Sequence, residues 1–265
     1  MASRLSGRGR VTRLVASPIA NTLEAIALGV MHPKDVDQMV CQTYQSRPNF
    51  YDPHRYELTY EARLLPVLVE HRPKGKMLDA FCGQGREAKL FAEAGYDVVA
   101  IDRLQWMIDA AKRYAKESEF DAKFEAADFA RYQPLEPFDI TYTSCWMYST
   151  VQGTAARASF LTRLKELTRQ DGLAVVSYVS GRSDGRAGVL ARWLISRVVG
   201  AIAFGNRDIE RGERIYTGLF WHHLPDEVAE HEVRQSGWDI VDRVEGEQME
   251  PTFLLLRRAT SEAAK

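Results

Sequence analysis

The residues of this chain best arranged for chemistry are Asp79, Gly83, Gly85 and Asp102. The first three lie in Leu78-Asp79-Ala80-Phe81-Cys82-Gly83-Gln84-Gly85, and Asp102 follows 17 positions after the second glycine. A glycine loop after a strand lets backbone approach a ligand closely, and the helix that follows offers free N–H groups to a carboxylate or phosphate. An acid closing the next strand is placed to accept both hydroxyls of a ribose. Together these features predict an adenosine-type ligand.

Three readings compete for that loop. Gly83-x-Gly85-x-x-Ala88 fits the dinucleotide fingerprint, so NAD is one, and a glycine turn with no ligand is another. Asp79 favours the third. A carboxylate four residues before Gly83 would lie poorly beside a pyrophosphate but would suit the cationic amino group of a methionine, directly or through water. Asp79 to Gly85 resembles motif I of class I S-adenosylmethionine (SAM)-dependent methyltransferases, D-x-G-x-G-x-G, with Phe81 in place of the first glycine as in the D-P-F-C-G-x-G variant. The resemblance runs from about Tyr51 to Arg258.

That resemblance implies SAM as cofactor and a small-molecule type of methyltransferase. Ala127-Asp128-Phe129 is similar to the family's adenine clamp, with Asp128 toward the exocyclic amine and Phe129 against the ring; a plain strand-end turn is the other reading. Phe138-Asp139-Ile140 with Thr143-Ser144-Cys145-Trp146 resembles the fourth strand, whose end faces the transferable methyl, and Asp139 itself reads as structural. The implied cofactor set is Asp79, Phe81, Gly83, Gly85, Asp102, Arg103, Met107, Asp128, Phe129 and Ser144.

Methyl transfer is a displacement at a sulfonium carbon. Alignment supplies much of the acceleration, and a base is needed only where the nucleophile must lose a proton. His222 and His223 are candidate bases because imidazole titrates in the range a phenol, acid or amine needs; Tyr148 is a third candidate. Capping a helix or lining a turn is the competing reading for the adjacent histidines. Tyr51, Tyr56, Trp146 and Trp221 are candidate acceptor contacts, and Tyr60 joins the first two as a roof over SAM, since aromatic faces suit a sulfonium. Core packing is the competing reading for such aromatics.

These residues need a frame, and one is legible from Lys76 onward as alternating strands and helices, the pattern of a parallel sheet. Strands are expected at 77–81, 97–102, 122–127, 138–144 and 173–179, with helices at 86–94, 104–116 and 155–169 between them. A helix at 225–236 and two final strands, 238–244 and 252–257, close the chain as an antiparallel pair. The fold class is therefore α/β, Rossmann-like and seven-stranded, with an antiparallel C-terminal strand and helices on both faces. Residues 1–60 read as a tail and helical cap, and 61–265 as the methyltransferase domain. Within that domain an insertion spans 181–222, holding an apolar helix at 189–204 and one short aromatic strand at 215–221. Val189, Leu190, Trp193, Leu194 and Val198, with Arg192 and Arg197 interleaved, suit a lid; a membrane-surface helix and a packed elaboration are the alternatives.

Composition narrows the function class. Formal net charge is −1, with 45% hydrophobic residues, so no basic field points to nucleic acid. The partner expected is a small-molecule acceptor such as a secondary metabolite, with no nucleic acid and no membrane span; a homodimer is left open. A SAM-binding protein that does not methylate, or one acting on RNA, is the alternative function. Cys41, Cys82 and Cys145 lack metal or disulfide spacing, so no metal is expected and a reducing compartment is. The location expected is cytoplasmic. Four arginines and no acid before residue 14 also fit an organellar targeting leader.

Overall fold

A computed structural model of the chain describes residues 19–47, 52–54, 60–181, 185–246 and 250–259. Tyr51 and Tyr56 lie outside the described residues. The chain divides into two compact units, one formed by residues 1–46 and 184–223 and the other by 47–183 and 224–265.

The larger unit is built on a seven-stranded sheet. Its strands are β1 (Lys76–Ala80), β2 (Asp97–Asp102), β3 (Lys123–Ala126), β4 (Phe138–Thr143), β5 (Thr168–Val179), β8 (Trp238–Val244) and β9 (Pro251–Arg258), in spatial order β3-β2-β1-β4-β5-β9-β8. The first five run parallel, whereas β9 is antiparallel to both β5 and β8. Apolar runs form the centre because a parallel sheet is covered on both faces. Met77, Leu78, Ala80, Ile140, Val175 and Val176 are accordingly buried. Helices α3 (Glu61–His71), α4 (Arg86–Glu93), α5 (Gln105–Glu117), α6 (Thr154–Leu167) and α8 (Asp226–Gln235) supply the layers. Two apolar clusters result, one including Leu78, Phe160, Leu164 and Trp238, the other Leu64, Leu68, Phe91 and Tyr142.

β5 is longer than the sequence suggests. It starts at Thr168, and its pairing with β4 slips between Phe138 and Ile140, so Gln170-Asp171-Gly172 is carried inside an irregular strand rather than forming a separate turn. At the same end Asp139 accepts from Lys76 N at 2.9 Å and from Arg72 at 2.6 Å. Burial would raise Asp139, but these two partners and Arg169 hold it below the usual carboxylate range. It is a structural tie.

The smaller unit combines α1 (residues 19–30), α2 (Pro33–Ser46), α7 (Arg186–Ile202) and the hairpin β6 (Glu213–Tyr216) to β7 (Leu219–His222). Pro33 occupies the first turn of α2, where a missing N–H costs nothing. Leu28, Val36, Ile209, Ile215 and Phe220 form its core. Arg214 pairs with Glu24 at 2.9 Å, and Thr43 donates to the Gly218 carbonyl at 2.8 Å. The expected single strand at 215–221 is a hairpin instead. Thr217 (φ 53°) and Gly218 (φ 79°) both take the left-handed conformation of a two-residue turn, matching the twist of the paired strands. On α7, Ser196 and Gly200 face inward, while Leu190, Leu194 and Val198 are exposed. Among the described residues, no helix is long and apolar enough to cross a membrane.

Candidate active site

The carboxyl ends of β1, β2, β3 and β4 bring the loop residues together. Cys82 N donates to the Ile101 carbonyl at 3.0 Å, Ala127 N to Asp102 O at 2.9 Å, and Ser144 N to Ala80 O at 3.1 Å. These cross-links clamp the loops after all four strands into one edge, where open α/β sheets bind ligands.

Gly83 (φ 52°) and Gly85 (φ 85°) turn the chain into α4. Gly85 is demanded by space as well as by angle, since a Cβ there would lie 3.1 Å from both Ala111 Cβ and Phe124 Cε1. Asp102 accepts from Gly83 N at 3.1 Å and from Leu104 N at 2.9 Å, one bond to each oxygen. Each oxygen keeps a second lone pair for a hydroxyl. Burial raises its pKa, opposed by those two N–H groups and by Arg103. Met107, on the first turns of α5, is buried, and its sulfur would sit 3.5 Å from a Cβ on Gly83. Asp128 folds back onto Ala130 N at 2.9 Å, closing the turn after β3.

Phe81 takes φ 64°, the left-handed backbone that a glycine would adopt at this position at no steric cost. Its ring lies 5.1 Å from Phe129 and 6.1 Å from Phe160, and Phe129 lies 5.0 Å from Phe160. This packing holds the residue in that conformation.

Asp79 is fully buried, and among the described residues neither carboxylate oxygen has a hydrogen-bond partner. Burial first, then Glu87, Asp102 and Glu61, push its pKa well above the usual range, with Arg86 opposing. A buried carboxyl in that position must hold a proton or meet a cation.

Sequence reasoning missed the groups around it. Glu61 on α3 accepts from Cys145 Sγ at 2.8 Å and lies 3.6 Å from Arg86, while Arg86 reaches Glu87 at 3.0 Å. Ser144 Oγ lies 3.4 Å from Glu87. Burial and Glu87 raise Glu61 to about 7, against the lowering pull of Cys145 and Arg86. Burial would lower Arg86, but the two glutamates raise it. A signal existed: Glu61 falls on the same helical stripe as the buried Leu64 and Leu68, and Glu87 beside the buried Ala88 and Phe91. An acid in phase with an apolar stripe is either paired below the surface or functional.

The candidate bases are placed differently. Tyr148 is buried in the larger unit and donates its hydroxyl to Glu232 Oε2 at 2.6 Å; Arg157 holds the same carboxylate at 2.7 Å. Burial and Glu232 raise the Tyr148 pKa, and its hydroxyl is held in a buried cluster with Glu232 and Arg157. Trp146 (φ 64°) follows β4, its N–H bonded to Ser177 Oγ at 2.8 Å and its ring 5.6 Å from Tyr60. His222, His223 and Trp221 belong to the smaller unit. Both imidazoles are buried, and His222 Nε2 lies 2.9 Å from the Arg211 carbonyl.

The family described as "Methyltransferase domain" matches residues 71–238, well over half of the chain. The chain belongs to that family. It is 26% identical over 110 residues to a ubiquinone biosynthesis O-methyltransferase of Rickettsia akari, a match covering 42% of this chain and 42% of that protein. The chain thus matches about two fifths of the length of that curated relative. Its fold resembles 1,6-didemethyltoxoflavin-N1-methyltransferase of Burkholderia thailandensis, with TM-score 0.63 and 16% identity over 87% of this chain and 92% of that one. A SAM-dependent methyltransferase of Clostridium acetobutylicum gives TM-score 0.58 and 12% identity, over 82% and 99%. Membership of that family makes SAM the cofactor to test against the site.

The residues fit that cofactor. Asp79 supplies an unpaired buried carboxylate suited to the amino group, Asp102 two anchored oxygens suited to the ribose, and Asp128 with Phe129 a turn suited to the adenine.

Proposed function

We propose that this methyltransferase delivers the SAM methyl group to an oxygen or nitrogen nucleophile of a small molecule. The observation carrying the cofactor side is Asp79, buried with both oxygens unbonded beside Glu61, Glu87 and Asp102. The acids Asp79, Glu61, Glu87 and Asp102 outnumber the nearby guanidiniums of Arg86 and Arg103, so the site suits a ligand carrying both an ammonium and a sulfonium. The acceptor class is supported by the near-zero net charge, which offers no broad attraction to a polyanion. It is also supported by two relatives, one named for O-methylation in ubiquinone biosynthesis and one for N1-methylation of 1,6-didemethyltoxoflavin.

SAM supplies a methyl group on a positive sulfur. The chain's own contribution is position: Asp102 and Asp79 fix the two ends of the cofactor, and the clamped loops after β1 and β4 set the direction from which a nucleophile approaches. With the Tyr148 hydroxyl held by Glu232, an acceptor that is nucleophilic in its own right needs no proton taken by that residue. The test is incubation of the purified chain with SAM and a panel of phenols, ring nitrogens and RNA, following S-adenosylhomocysteine. Release dependent on a small acceptor and lost in Asp79→Asn is expected. Release with RNA alone would overturn the small-molecule reading.

A further inference from the structure

The hairpin of the smaller unit carries a second constellation. Glu213 on β6 sits directly opposite His222 on β7, so both side chains leave the same face of the ladder. The turn before β6 adds Glu210, whose backbone N–H is accepted by Glu213 Oε2 at 3.0 Å. One ligand-competent atom from each of Glu210, Glu213 and His222 lies within 4.8 Å of the other two. Glu213 and His222 are buried, and Glu210 is partly so.

The imidazole is held in a fixed orientation. His222 Nε2 lies 2.9 Å from the Arg211 carbonyl, an acceptor only, so Nε2 carries the hydrogen. The other nitrogen, Nδ1, is thereby aimed at Glu210 Oε2, 3.7 Å away. A ring N–H spent on a backbone carbonyl is the outer-shell arrangement that orients metal-binding histidines. Gly212 (φ 98°) makes the fit possible: a Cβ there would meet the His223 carbonyl at 2.4 Å and the His222 ring at 3.1 Å. The turn therefore wraps the imidazole with its own backbone.

We propose that Glu210, Glu213 and His222 form a divalent transition-metal site that takes Zn²⁺ or a similar borderline cation. One imidazole nitrogen and two carboxylate oxygens suit such an ion better than Mg²⁺ or Ca²⁺, which prefer all-oxygen sets. With bonds of about 2.1 Å, tetrahedral ligands stand roughly 3.4 Å apart, so the 3.7 Å pair is already near bonding separation. Three protein ligands leave a position for water, the pattern of an open zinc site. All three residues have other polar interactions too, so a cation must displace or share them.

The site is testable on the full untagged chain by titration calorimetry with Zn²⁺ at neutral pH, with Mg²⁺ and Ca²⁺ as controls. One Zn²⁺ per chain is expected, with affinity lowered at least tenfold in both Glu210→Gln and Glu213→Gln, and Mg²⁺ and Ca²⁺ silent. Glu210 is the more exposed acid, so its amide variant guards against simple misfolding, and circular dichroism confirms that both variants fold. The His222 ring signals, followed by NMR, should shift on addition of Zn²⁺ and stay in place with Mg²⁺ or Ca²⁺. No Zn²⁺ binding, binding unchanged in folded variants, or His222 ring signals unmoved by Zn²⁺ would each overturn the proposal.

Discussion

Glu61→Gln should change stability in a pH-dependent way. Glu61 is 1% exposed and titrates near 7 in the folded chain, against 4.5 as its ordinary value. Between those pH values the native state holds a proton that the unfolded chain has released. Stability therefore falls as pH rises from about 4.5 to about 7, and the loss is complete above that. At 1.36 kcal/mol per pH unit the gap corresponds to about 3 kcal/mol. Glutamine is neutral at every pH and matches the acid in shape, so the variant escapes the penalty. Its stability relative to the parent should rise by about 2.5 kcal/mol between pH 5 and pH 8. At pH 5 the two should be close, or the variant slightly weaker through an altered contact with Cys145. Urea unfolding of both proteins at the two pH values measures the difference directly. An offset that is the same at pH 5 and pH 8 would refute the description of Glu61 as a buried acid that keeps its proton to about neutral pH.

Two further outcomes are expected. Asp102→Ala should lower SAM affinity by roughly 2–4 kcal/mol, because two charge-assisted hydrogen bonds to the ribose disappear. Calorimetry showing unchanged SAM binding would remove Asp102 from the site. Gly85→Ala should destabilise the fold by roughly 1–3 kcal/mol, since alanine must adopt φ 85° and meet Ala111 and Phe124. A melting temperature equal to the parent's would contradict that crowding.

The parallel sheet was legible because its signals are local: short apolar runs, glycine stops, and helical stripes between them. The loop after β1 was legible for the same reason, since Asp79, Gly83 and Gly85 are neighbours in sequence. What the sequence concealed depends on distant partners. Tyr148 reads as a free phenol until Glu232 arrives from α8, 84 positions away. Residues 1–60 and 181–222 read as a cap and an insertion, and which of their side chains pack together stayed hidden: the core of the smaller unit mixes Leu28 and Val36 with Ile209 and Phe220. The β6–β7 turn was hidden because Thr217 carries the left-handed angle without an asparagine or aspartate to announce it. Glu61 and Glu87 could have been found by asking why acids fall on the buried faces of α3 and α4.

Phe81 alters how the loop after β1 meets a ligand. A glycine there would let the loop sample many shapes, and binding would have to freeze one of them. A phenylalanine at φ 64° instead gives up roughly 1–2 kcal/mol of backbone comfort. Its stacking on Phe129 and Phe160 returns about 0.5–1.5 kcal/mol per ring pair. The ring contacts restrain the loop without help from a cofactor. Much of the entropy of arranging it has already been spent, so cofactor capture should carry a smaller ordering penalty and proceed with little rearrangement of the loop.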